Sequence, residues 1–172
     1  MPGRCGAGTL RSTQAAEGSG AMPKVEMDLE TPVAPERVRA ALLDFSDRRP
    51  ELWPGIEPSL YHVYSVGATT AEVKEGSRMP GMSVWAVEHY DWSDPRLVTW
   101  TVRESNFCTP GSYVSAAITG RPDGGSRVHI VWNRTPTTFG GRIATFLIVA
   151  SKGRPVAASF RRAMKILERA GV

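Results

Sequence analysis

The stretch Pro155-Val156-Ala157-Ala158-Ser159-Phe160-Arg161-Arg162-Ala163-Met164-Lys165-Ile166-Leu167-Glu168-Arg169-Ala170 decides how the rest of the chain must be arranged. Val156, Phe160, Ala163 and Leu167 recur at offsets of four, seven and eleven, with Met164 beside them, so they share one face of a helix. Arg161, Arg162, Lys165, Glu168 and Arg169 fall on the other side. A helix with one apolar stripe needs an apolar surface to cover, and the residues before it read as strands, so that surface is a sheet.

Upstream, Thr138 to Ala150 is also helical in pattern. A single straight helix from Thr138 to Ala170 would run about 50 Å at ~1.5 Å per residue, too long for a domain of this size. Pro155 lacks an amide donor and Gly153 weakens the same turn, which predicts a break between Ser151 and Pro155. Pro155 to Ala170 is then expected to lie along the sheet. Phe139 to Ala150 is apolar on nearly all sides, and is expected to cover one end of a cavity and to be its moving part.

Working back to the N-terminus, residues 1–22 are mostly Gly, Ala, Ser and Thr with little to pack, which predicts a disordered tail ahead of one domain over residues 23–172. Gly6-Ala7-Gly8 has no strand before it and no helix after it, so it is no nucleotide loop. Lys24 to Glu30 alternates charged and apolar residues, a strand with one buried face. Thr31-Pro32-Val33-Ala34-Pro35-Glu36 opens a helix that turns Val38, Ala41, Leu42 and Phe45 inward. Ser46 to Pro54 is a second short helix or turn.

The period then drops to two. Strands are expected at Leu60–Val66, Thr70–Glu75, Met82–Asp91, Leu97–Ser105, Ser112–Thr119 and Arg127–Arg134, with Gly76–Gly81 as a loop. Turn sequences such as Arg121-Pro122-Asp123-Gly124-Gly125 are short enough to force antiparallel neighbours. The expected architecture is α+β: about seven antiparallel strands, curved around a long C-terminal helix, with two short helices after the first strand. Space between such a sheet and its helix is where a ligand cavity would form.

A content of 41% hydrophobic and 22% charged residues over 172 residues describes an ordinary globular chain. The net charge of +4 is too small to imply nucleic acid without a clustered groove. Cys5 and Cys108 form no disulfide framework, and no zinc spacing exists, so neither a metal nor a cofactor is expected. The longest apolar run, Ile143 to Ala150, is too short to span a membrane. No apolar segment follows Arg4, which argues against a secretory signal and leaves the cytoplasm as the default compartment.

The order of elements resembles the helix-grip superfamily of START-like and plant-pollen-allergen-like proteins, and within it the bacterial polyketide cyclase/dehydrase and lipid-transport group. The resemblance covers Lys24 to the end. It rests on Val25 to Leu29 followed by Pro35-Glu36-Arg37-Val38, on Glu88-His89-Tyr90-Asp91, on Asp94-Pro95-Arg96-Leu97-Val98, on Gly124-Gly125-Ser126-Arg127-Val128 and on the closing helix. It implies a deep, largely apolar cavity that takes lipids, sterols, hormones or polyketide intermediates, with cyclisation or dehydration in a minority of members. The superfamily shares no fixed catalytic set, so no residue role carries over.

Candidate chemistry is sparse. His62, His89 and His129 lie on different strands. His62 shares a face with Leu60 and Tyr64, and Asp91 could orient His89, so either suits acid–base work. His129 alternates with Val128 and Ile130 and is expected in solvent. Glu88 is the third weak catalytic candidate, a potential base if buried, set against a plain cross-strand surface glutamate. Which face of Met82–Asp91 points inward stays open, because Val84 with Ala86 and Trp85 with Val87 are both apolar pairs. Arg103 and Arg134 could receive an anionic or carbonyl-bearing ligand, or could simply be surface charge. Cys108 has no histidine partner in sequence.

The expected ligand-binding residues are Trp53 as a gate, Tyr64, Trp85 or its strand neighbours, Trp100, Phe107 at a rim, Val114, Ile118, Trp132, Phe160 and Met164. The leading expectation is a binding or carrier domain for a small apolar molecule. The alternatives are a cofactor-independent cyclase or dehydratase using two convergent residues among His62, Tyr64, Glu88, His89 and Arg103, and a protein-interaction module with a collapsed core and a basic helix face. No stable membrane insertion is expected, and the chain should be a monomer or homodimer.

Overall fold

In a computed structural model of the chain, residues 24–79 and 81–170 are described. The expected tail over residues 1–22 lies outside them. Strand β1 (Lys24–Thr31) buries every second residue, turning Val25, Met27, Leu29 and Thr31 inward. Helix α1 (Pro35–Leu42) follows, with Pro35 in its first turn and Val38, Ala41 and Leu42 buried, then the single-turn helix α2 (Arg49–Leu52). Six strands come next: β2 (His62–Val66), β3 (Thr70–Met79), β4 (Met82–Asp91), β5 (Leu97–Ser105), β6 (Tyr113–Gly120) and β7 (Ser126–Asn133). They form one antiparallel sheet in the order β1-β7-β6-β5-β4-β3-β2. The meander from β2 to β7 thus closes on β1, in the α+β helix-grip arrangement.

Two sequence expectations change here. Leu60 sits in a 3-10 turn, Pro58–Leu60, rather than in β2. The expected loop from Gly76 belongs to β3, which pairs with β4 from Thr70↔Asp91 to Met79↔Met82. Gly76 is a site of close approach: a Cβ there would lie 2.7 Å from the Val84 carbonyl oxygen and 2.9 Å from Leu60 Cβ.

The C-terminal stretch divides as its glycine and proline predict. Helix α3 (Phe139–Ala150) ends, Ser151-Lys152-Gly153 turns, and α4 (Arg154–Arg169) begins. Gly153 has φ +73°, and a Cβ there would meet Met27 Cε at 2.5 Å and Val25 Cγ1 at 2.9 Å, so the turn rests directly on β1. Helix α4 buries Ala157, Phe160, Ala163 and Met164 against the sheet. Each large side chain so buried contributes about 1.5–3 kcal/mol. Arg37 of α1 donates to the Leu167 carbonyl at 2.7 Å, tying the two helices.

Helix α3 does something different. None of its residues is buried, and none lines the cavity described below, so the expectation that it caps the cavity is corrected. Of its side chains, only Ile148 packs, partly buried, against the main core.

Candidate functional site

Strand β4 carries its chemistry on one face. Ala86, Glu88 and Tyr90 are buried, while Trp85, Val87, His89 and Asp91 turn outward. A register shift separates the Val87↔Glu104 and Glu88↔Val102 pairs, so Arg103 is an extra residue on β5. The bulge lets Glu88 and Val102 share the inner face and leaves Arg103 exposed outside.

Between the inner faces of β3, β4 and β5, α2 with the segment after it, and α4 lies a cavity of about 250 Å³. The interior is therefore not collapsed. One wall is a run of aromatic rings. Tyr90 stacks on Trp100 at 5.6 Å and 11°, Trp100 lies 6.4 Å from Phe160 at 24°, and Phe160 meets Trp53 edge-on at 5.2 Å. Offset stacks of this kind present flat apolar surface. Leu42, Ile56, Val84, Ala86 and Phe107 complete the apolar lining.

The charged lining is two buried Arg–Glu pairs. Arg49, 3% exposed, donates from Nε to Glu75 Oε1 at 2.5 Å, from Nη1 to the Leu42 and Asp44 carbonyls at 3.0 and 2.9 Å, and from Nη2 to Tyr90 Oη at 2.9 Å. Burial works against its charge, but Glu75 and Tyr90 outweigh it and raise the guanidinium pKa. Tyr90 Oη accepts this bond, so its own proton remains to donate. Burial, with Glu75 beside it, pushes that hydroxyl well above the usual phenol range.

The second pair is Arg134 Nη2 donating to Glu88 Oε1. Arg134 also points Nη1 at Cys108 Sγ, 3.9 Å away, and lies 5.9 Å from the Phe107 ring centroid. Among the described residues Arg134 is the one hydrogen-bond partner of the Glu88 carboxylate. Burial pushes the Glu88 pKa up against the pull of Arg134, so this carboxyl holds a proton more readily than a free one. Burial likewise opposes the charge of Arg134, and Glu88 more than compensates, raising its pKa. The arrangement can receive a carbonyl or phenolic oxygen at Arg134 and exchange a proton at Glu88.

Of the residues expected in the cavity, Trp53, Trp100, Phe107, Phe160 and Glu88 line it. Trp53 is not a gate: it is buried, and its indole N–H donates to the Ala41 carbonyl at 3.1 Å, which fixes it as wall. Val114, Ile118, Trp132 and Met164 are packed core away from the cavity. Trp85 faces out under Lys74, whose Nζ is 4.5 Å from its ring. Tyr64 is exposed on the outer side, with His62 edge-on to its ring at 4.7 Å. His89 bonds Glu72 at 2.8 Å on that same side, not Asp91. His129 pairs with Asp28 at 3.1 Å, exposed as its alternation predicts. Cys108 is buried beside Arg134. Of the five residues proposed to converge, Glu88 alone is inside.

Sequence reasoning did not single out Arg49 or Glu75. Both carried a signal. An arginine opening a helix sits against the positive end of the dipole, where an acid is the ordinary choice. Glu75 follows Ala71 and Val73 at two-residue steps, a charge on the buried parity of its strand.

Comparison with known proteins agrees with this fold. A family model described as polyketide cyclase / dehydrase and lipid transport matches residues 22–170. No curated protein sequence matches the chain. Among solved structures, a Thermus thermophilus protein superposes with a TM-score of 0.71 at 17% identity, covering 87% of this chain and 100% of the other. The Zhui aromatase/cyclase of a Streptomyces species superposes with 0.71 at 13% identity, covering 86% and 94%. A START superfamily protein of Mycobacterium smegmatis gives 0.69 at 10%, covering 86% and 98%. Likeness at these identities shows the fold.

Proposed function

Because the chain belongs to the polyketide cyclase/dehydrase and lipid-transport family, we propose that it binds a small molecule with a flat apolar ring body and an oxygen function at one end. The observation that carries this reading is the aromatic wall Tyr90–Trp100–Phe160–Trp53 in the same cavity as the Glu88–Arg134 pair. A volume of about 250 Å³ falls just below the ~300 to ~1,000 Å³ usual for ligand pockets, and suits a molecule of a few rings better than a two-chain lipid. The apolar body is bound by surface removed from water, at roughly 25 cal/mol per Å² before ordering costs. Arg134 fixes which end enters first.

Titration of the full chain with one- to three-ring phenols and ketones, read by tryptophan fluorescence, tests this directly. Trp53 and Trp100 line the cavity, so saturable quenching is expected, and Trp100→Ala should weaken it by at least about tenfold. Absence of saturable binding by every member of the panel would remove the reading.

A second reading, a cyclase or dehydratase, is favoured by one observation: a buried carboxyl of raised pKa directly beside a guanidinium. Glu88 would take the proton α to a substrate ketone while Arg134 holds the developing enolate oxygen, and the proton would leave with a β-hydroxyl as water. The product of that step is a conjugated ketone. Its absorbance should grow with wild-type protein and a small β-hydroxy ketone, and not with Glu88→Gln. Tight binding without any absorbance change would leave the carrier reading alone.

A further inference from the structure

We propose that α3 is an interfacial helix that lays its outer face on an anionic lipid bilayer surface. Its side chains are distributed the opposite way from a core helix. Gly141, Ala144, Thr145 and Ile148 turn toward the protein, while Phe139 (79% exposed), Ile143, Phe146 (68%) and Leu147 (58%) share the outer face. Five of the eight exposed large hydrophobic side chains among the described residues belong to this one helix, Val149 being the fifth. Concentration on that scale marks an interaction surface.

Charge selects the partner. The sequence has no aspartate or glutamate between Asp123 and Glu168. Arg142 on the helix, and Lys152 and Arg154 just past its end, are exposed and form no ion pair among the described residues. Arg127 and Arg121, by contrast, are paired with Glu30 and Asp123, while Arg161, Arg162 and Arg169 on the outer face of α4 share the unpaired state among the described residues. Unneutralised cations beside an exposed apolar face match a surface that is negative outside and apolar beneath. Two copies meeting face to face would instead set these cations against their own counterparts. Twelve residues are too few to span a bilayer, so the helix lies in the interface.

The attachment of α3 suits the role. The segment before it is held by Thr137 N–H donating to the Phe107 carbonyl at 2.9 Å and Thr109 N–H donating to the Thr135 carbonyl at 2.8 Å. A Cβ on Gly141 would lie 3.3 Å from that same Phe107 oxygen. The bilayer would therefore sit beside the loop that carries a cavity-lining residue.

Sedimentation of the full chain with vesicles tests the proposal, one set of phosphatidylcholine alone and one of roughly three parts phosphatidylcholine to one of phosphatidylserine. Wild-type protein should pellet with the anionic set and much less with the neutral one, and added salt should reduce binding. Phe146→Ser with Leu147→Ser should weaken binding at least about tenfold while leaving the thermal midpoint and cavity titration unchanged, since both side chains are exposed. Arg142→Glu with Lys152→Glu should abolish the preference for anionic vesicles. No pelleting by wild type would overturn the proposal. So would a dimer in sedimentation velocity that Phe146→Ser dissociates while vesicle binding is unaffected, since a second copy would then be the occupant.

Discussion

The two buried Arg–Glu pairs of the cavity look alike and do different work. Arg49 makes four hydrogen bonds, reaching α1, the loop after it, β3 and β4 at once, and its guanidinium also lies over Phe45 and Tyr90. It joins the short helices to the sheet. Arg134 has one carboxylate and one weak thiol contact, so much of its donor capacity faces the cavity. A saturated buried cation is a structural joint, whereas an under-used one beside a proton-holding carboxyl is available to a ligand.

Removing one partner of each pair separates the roles. Arg49→Met strands Glu75, Tyr90 Oη and two carbonyls, and should cost about 3–5 kcal/mol in urea denaturation, the usual loss when a buried pair is broken. Arg134→Leu should cost less, about 1–3 kcal/mol, because Glu88 can take up a proton in place of its lost partner. The same variant should lose tenfold or more affinity for phenols and ketones, and nothing for ring hydrocarbons without oxygen. If instead Arg134→Leu is the more destabilising and leaves ligand affinity intact, the contrast is reversed.

The pH dependence sharpens it. The Glu88 pKa is raised in the folded state, so its contribution to stability is fully present below about 4.3, the ordinary glutamate value, and is lost as pH rises through the folded value. Glu88→Gln should flatten this part of the stability–pH curve, and Arg134→Leu should steepen it. Chemical denaturation repeated across the acidic to neutral range measures both. The smallest expected effect belongs to Tyr90→Phe, which removes one acceptor from Arg49 and should cost about 1 kcal/mol. A loss as large as that of Arg49→Met would mean that Tyr90, not Glu75, anchors the joint.

Most of the fold was readable because it follows from periodicity. The α4 stripe, the alternation of β1 and the Gly153–Pro155 break each depend on residues close in sequence. The site was readable in part. Trp100 and Phe160 were placed in the cavity from parity and stripe alone. The facing of Trp85 and His89 stays open in the sequence because both faces of β4 carry apolar residues, and Tyr64 on the edge strand β2 resembles a core residue until its neighbours are known. Glu75, Glu88 and Arg134 all sit on the buried parity of their segments, after Val73, Ala86 and Trp132. A charge at such a position must find a partner indoors.

The sequence by itself therefore determined the order of elements, the sheet-on-helix pairing and the division of the C-terminal stretch, since backbone dihedrals and side-chain period are local properties. Tertiary structure alone decided which arginine meets which glutamate, across 26 and 46 positions of chain, and that the apolar helix α3 stays outside the core. Those outcomes depend on distances between strands and helices that no local pattern encodes.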